Sequence, residues 1–255
     1  MMIDEWGTQH ARRLLFLPGA FSDPRWYTPT LETLARQWHT VAVTYDGYHE
    51  PFESSFTSVE QTAASVTAAL VERGIEEVDV VYGLSLGGAV AHLIHACDRL
   101  RIGTLVLDAA IAPYRLPRWL TRLILLRDLA GFALLRRSTT VMKLAFPPER
   151  WLYPWEDEDS YGESAAFLAR LTGETVRRCF DSVNNYAVPG VLPRRETRLH
   201  YIYGDREARA RASDIAYFRE AYPEITVTAI PDRDHGELAT IGYREFAGVL
   251  EGLAR

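Results

Sequence analysis

The chain has 255 residues, 47% of them hydrophobic and 24% charged, which sets aside disordered and collagen-like classes. Lys+Arg number 28 against Asp+Glu 34, a formal net charge of −6. Such a balance gives no global attraction for nucleic acid or an anionic lipid surface, although a local patch stays open. Two cysteines, Cys97 and Cys179, cannot build a disulfide framework or a four-cysteine zinc site. They are expected to be reduced, partly buried thiols in a cytoplasmic protein. The first residues carry acids early and lack the apolar core of a secretory signal, and no stretch of roughly 18 uncharged apolar residues exists to span a membrane.

Six short runs rich in β-branched and aromatic residues, each followed by turn residues, predict strands at 13–17, 40–45, 78–82, 103–107, 199–203 and 225–230. Several are apolar on both faces, as buried parallel strands are. Helical periodicity is expected over 58–73, 86–97, 211–222 and 236–253. The alternation predicts an α/β fold, a mostly parallel sheet flanked by helices, with ligands beyond the carboxyl ends of the strands. Residues 3–6 are too short to decide whether a further N-terminal strand exists. Residues 110–195 hold no good strand and read as an all-helical insertion, leaving 1–109 and 196–255 as the core.

After the third predicted strand comes Gly83-Leu84-Ser85-Leu86-Gly87-Gly88, a Gly-x-Ser-x-Gly at a strand-to-helix junction. A serine there is forced into a sharp turn, its Oγ above the sheet, with a helix N-terminus beside any developing oxyanion. Ser85 is therefore the candidate nucleophile and the Leu86 amide the first oxyanion donor.

Together with Leu17-Pro18-Gly19-Ala20, Asp234-His235-Gly236 and the strand order, this elbow resembles the α/β-hydrolase superfamily across essentially the whole chain. The resemblance implies a second oxyanion donor after the first strand, the Ala20 amide, with Phe21 as fallback; Pro18 stands where the family usually has histidine. It implies His235, after the last strand, as general base. Its acid is expected three residues beyond a glycine, where Gly204-Asp205-Arg206-Glu207 offers Glu207; Asp205 and Asp108 stay open as alternatives. It also makes the 110–195 insertion a cap. The other histidines fit less well: His92 and His95 share the helix behind the serine, His200 is inside a strand, and His49 follows the second strand.

The implied activity is that of a serine hydrolase acting on a small ester, thioester or related acyl compound, with no metal or organic cofactor and no nucleic-acid partner. A C–C hydrolase, lyase or acyltransferase would use the same residues, and a non-catalytic binder is the reading from another class. Homo-oligomerisation is left open. Within the insertion, 116–137 alternates leucines with arginines. The expectation is a helix burying its apolar side over the pocket with arginines in water; a helix lying on a membrane is the alternative. Trp119, Trp151, Tyr153, Trp155, Phe167 and Tyr186 are candidates for an apolar pocket or for the insertion's own core. The acidic turn 156–159 reads as solvated charge.

Overall fold

The computed structural model describes residues 1–113, 116–147, 158–190 and 196–254. Seven strands form one sheet: β1 (Met2–Trp6), β2 (Arg13–Leu17), β3 (His39–Thr44), β4 (Glu77–Leu84), β5 (Arg101–Asp108), β6 (Arg198–Gly204) and β7 (Thr226–Ile230). Their order is β1-β3-β2-β4-β5-β6-β7. All neighbours are parallel except β1, which runs antiparallel to β3 with Ile3 opposite Val43. The six strands expected from sequence are present, β3 shifted one residue toward the N-terminus and β7 starting one residue late. The seventh, β1, is the undecided N-terminal segment. It lies at the sheet edge with mostly exposed residues, so it lacks the apolar run that marks its neighbours.

Side chains alternate across a strand, so β2 feeds two cores. Leu15 and Leu17 join Val41, Val43, Val81, Leu105 and Leu107 on one face. Leu14 and Phe16 join Ala42, Val80, Tyr82 and Val106 on the other. The first face is covered by α2 (Val59–Glu72), α3 (Leu86–Ala96) and α8 (Ala208–Ala221). The second is covered by α1 (Thr28–Leu34) and α10 (Tyr243–Leu253). The terminal helix expected over 236–253 is broken into α9 (Glu237–Thr240) and α10, because Gly242 bonds back to the Glu237 carbonyl and ends the first piece.

Between β5 and β6 the described residues form only helices: α4 (Arg118–Leu135), α5 (Thr139–Ala145), α6 (Glu158–Arg170) and α7 (Gly173–Asn185). Helix α7 is tied to the sheet's loops. Ser182 Oγ accepts from Val59 N at 2.8 Å, Thr175 Oγ1 from Phe56 N at 3.3 Å, and Cys179 Sγ from Tyr48 Oη at 3.3 Å. Cys179 is buried as a free thiol, but Cys97 is exposed rather than partly buried, because α3 ends at Ala96 and Cys97 is already its C-cap. His92 and His95 are both buried. His92 sits edge-on among Tyr186, Tyr217, Phe218 and Tyr222, and burial depresses its pKa to about 3.

The second core turns on Phe16, whose ring meets Tyr27 at 5.1 Å, Tyr82 at 5.2 Å and Phe246 at 6.4 Å. Phe16→Ala is expected to cost about 3–5 kcal/mol in urea unfolding. A loss below about 1 kcal/mol would show that this face does not hold the sheet.

Candidate active site

Strands β2, β4, β5, β6 and β7 all end at the same edge, and each hands a residue to the region beyond it. At β4 the chain turns within one residue. Ser85 has φ 54 and ψ −111, the left-handed region that costs a non-glycine residue on the order of 1–3 kcal/mol. Its amide bonds the Asp108 carbonyl at 2.8 Å and its carbonyl accepts from Ala89 at 3.2 Å, so the turn is held from both sides. Helix α3 then starts directly against β2. A Cβ on Gly87 would stand 2.1 Å from the Leu17 carbonyl oxygen, and one on Gly83 would stand 2.3 Å from the Gly87 carbonyl oxygen. Only glycine permits either approach. Leu86 is the first residue of α3, where an amide has no acceptor within its own helix.

A second crossing without side chains brings the β6 and β7 loops together. A Cβ on Gly204 would meet the Arg233 carbonyl at 2.3 Å, and that carbonyl instead accepts from Arg206 N at 3.1 Å. The turn Asp205–Glu207 follows and points Glu207 inward, where it is buried. On the other loop, Asp234 Oδ1 accepts the His235 amide at 2.8 Å, and Glu237 Oε2 accepts the Asp234 amide at 2.8 Å. Thr30 Oγ1 anchors α9 through the Ala239 carbonyl at 2.7 Å. His235 Nδ1 donates to Glu207 Oε2 at 2.8 Å.

Of the three candidate acids, Glu207 is therefore the one joined to His235. Asp205 is exposed one turn earlier. Asp108 is buried and accepts from Tyr82 Oη at 2.6 Å. Glu207 is also held from behind. Arg211, one helical turn on, places Nε 3.3 Å from Glu207 Oε2 and Nη1 3.0 Å from Asp214 Oδ2. Asp214 in turn accepts the Ala112 amide at 2.9 Å. Arg211 and Asp214 went unnoticed in the sequence reading. Their signal was there in the i, i+4 spacing from Glu207 and the i, i+3 spacing between them.

Ser85 and His235 line one cavity of about 240 Å³, together with Gly19, Ala20, Leu86 and Gly236. Its remaining wall is largely apolar, with Phe21, Trp26, Ile111, Phe180 and Val183. Cys179 also faces it; burial pushes its thiol up to about 12, so the sulfur serves as a packing group. Phe21, the fallback oxyanion donor, has φ 57 and also lines this cavity. His49 lies on a neighbouring cavity with Glu50 and Arg170. Tyr186 and Phe167 are buried and Trp119 is exposed; Trp151, Tyr153, Trp155 and the side chains of 156–159 lie outside the described residues. Among the described residues no group of three His, Cys, Asp or Glu side chains is placed to hold a metal ion.

A family profile described as the alpha/beta hydrolase family matches residues 14–247, nearly the whole chain. The chain belongs to that family. No curated protein matches it significantly in sequence. Among solved structures, it is similar to a putative alpha/beta hydrolase family protein from Desulfitobacterium hafniense, with TM-score 0.74, 18% identity and full coverage of both chains. It is also similar to a structure from a study of carboxylesterases of Nitrososphaera gargenis, with TM-score 0.74, 13% identity, and 98% and 92% of the two chains covered. A thermophilic esterase from Thermogutta terrifontis aligns with TM-score 0.71, 17% identity, and 99% and 92% coverage. Identities this low speak to the fold alone.

One buried carboxyl beside the site is shifted well away from its ordinary range. Burial, opposed by the Tyr82 hydrogen bond and reinforced by the nearby Glu207 charge, raises the Asp108 carboxyl to about 7. In the unfolded chain it ionises at about 4. Between those two values the folded state keeps a proton that the unfolded state has lost, so this residue's contribution to stability falls as pH rises from about 4 to about 7 and is constant above. Denaturant midpoints of Asp108→Asn are expected to improve against the unsubstituted protein across that window and then level off. A difference independent of pH would show that Asp108 is ionised throughout.

Proposed function

We propose that the protein is a serine hydrolase acting on a small acyl compound, an ester or thioester, through an acyl-enzyme. The observation that carries this reading is the His235–Glu207 hydrogen bond beside a cavity that also contains the left-handed Ser85. In this scheme Glu207 fixes the imidazole with its proton on Nδ1, leaving Nε2 to take the proton of Ser85 Oγ. The alkoxide attacks the acyl carbonyl, and the amides of Leu86 and Ala20 stabilise the tetrahedral oxyanion. His235 then returns the proton to the leaving group, and water repeats the sequence on the acylated serine.

A volume of about 240 Å³ lies just below the usual range for ligand pockets, which supports a small acyl group. The apolar wall from Phe21, Phe180 and Val183 supports an uncharged one. In this reading α4 and α7 belong to a cap over the cavity. Phe132 of α4 reaches Phe21 at 4.6 Å, and Phe180 of α7 reaches it at 4.9 Å, which supports a role in excluding water during the acyl transfer.

A fluorophosphonate probe is expected to label Ser85, located by peptide mass spectrometry, and Ser85→Ala is expected to abolish both labelling and short-chain ester turnover. Hydrolysis surviving in Ser85→Ala would overturn the mechanism. Glu207→Gln is expected to lower kcat by about 10³- to 10⁴-fold, because the imidazole loses its tautomer and the imidazolium its counter-charge. Asp205→Asn is expected to keep near-normal turnover. The opposite ranking of those two variants would reassign the acid.

A further inference from the structure

Helix α4 is apolar on two separate faces, about 130° apart around its axis. At 100° per residue, Phe132, Leu125 and Leu129 lie on one side. There Phe132 is buried, against Phe21 and Phe180. Trp119, Leu123, Leu126 and Leu134 fall on the other side within an arc of roughly 80°. These four are 64%, 53%, 63% and 62% exposed. They form a stripe about 22 Å long at 1.5 Å per residue. Leu116, just before α4, and Leu144, on α5, are 41% and 83% exposed. Apart from Met2, these six are all the exposed large hydrophobic side chains among the described residues.

The charge around the stripe is equally uneven. Between residues 116 and 147 there are six cationic side chains and a single carboxylate, Asp128, in a chain whose net charge is −6. Arg122 and Arg127 flank the stripe on its two sides, both exposed, Arg127 being paired with Asp128 at 2.7 Å, and Arg118 and Arg137 stand exposed near its two ends. A helix apolar on both faces needs a partner on each. The inner partner is the cavity wall. The outer one must accept leucine and tryptophan into an apolar phase and present negative charge to arginines on both flanks. A second copy seated face to face would set cations against cations.

We propose that the outer face of α4 docks the protein on an anionic lipid surface, with Trp119, Leu123, Leu126 and Leu134 in the acyl boundary and Arg118, Arg122 and Arg127 at the head groups. The helix would lie in the plane of the surface, its arginine stems snorkelling outward. This goes beyond the proposed chemistry and does not need it. Binding is read without turnover, and a protein that hydrolyses nothing could still show it.

The test is co-sedimentation of the full chain with vesicles of phosphatidylcholine alone and of phosphatidylcholine with phosphatidylglycerol. Partition is expected into the anionic vesicles, weakened by salt. Leu123→Glu with Leu126→Glu is expected to reduce it by about tenfold or more. Arg118→Gln and Arg122→Gln are each expected to weaken it by about fivefold, while short-chain ester turnover in solution is unchanged. The arginine variants keep the proposal testable if the glutamate pair fails to fold. No partition into anionic vesicles, equal partition into neutral ones, or partition untouched by these substitutions would overturn it. So would size-exclusion evidence of a dimer that the glutamate pair dissociates, which would assign the face to a second copy.

Discussion

At Gly87 the backbone of α3 rests on the carbonyl of Leu17 with no room for a methyl group between them. Much else depends on that contact. With α3 pressed onto the end of β2, the turn preceding it has to reverse within one residue, and Ser85 is held with φ positive above the sheet edge. The same contact brings the β2 loop, with Gly19 and Ala20, to the rim of the cavity that Ser85 faces. A similar bare crossing at Gly204 sets the β6 turn against the β7 loop and so sets the reach from Glu207 to His235. The side chains of the site stand on loops, but backbone-to-backbone contacts fix where the loops lie.

Behind these contacts a chain of charge runs from the site to the residues that follow β5. Glu207 meets Arg211, Arg211 meets Asp214, and Asp214 holds the Ala112 amide where the chain leaves β5. Arg211 also donates toward the Ala109 carbonyl at 3.4 Å. The carboxylate beside His235 is thereby tied, through Arg211 and Asp214, to the residues that follow β5.

The parallel strands were legible because burial on both faces writes a continuous apolar run, and the elbow was legible because its glycines and serine sit between such a run and a helix. Met2–Trp6 was not, since an exposed edge strand carries Asp4 and Glu5 and gains its identity only from pairing with β3. Thr28–Leu34 was missed for its brevity and its Pro29. Among Glu207, Asp205 and Asp108, the slot three residues beyond Gly204 favoured Glu207, but spacing alone left the other two open. The choice depends on how closely Gly204 lets two distant loops approach, a contact between residues 204 and 233. Likewise, periodicity suggested a helix at 116–137 with one buried apolar side, whereas three-dimensional packing covers one side and leaves a second apolar side outward.

Non-glycine residues with positive φ follow four of the strands at the cavity end of the sheet: Phe21, Ser85, Ala109 and Asp232. At on the order of 1–3 kcal/mol each, they consume a large share of the marginal stability of a typical domain. The doubly covered sheet is the reserve that tolerates this. Sequence drift at these positions should therefore meet two opposed pressures. Glycine at Ala109 would relax the backbone with little buried surface lost, whereas relaxing Phe21 would remove a buried ring and relaxing Ser85 would remove the candidate nucleophile.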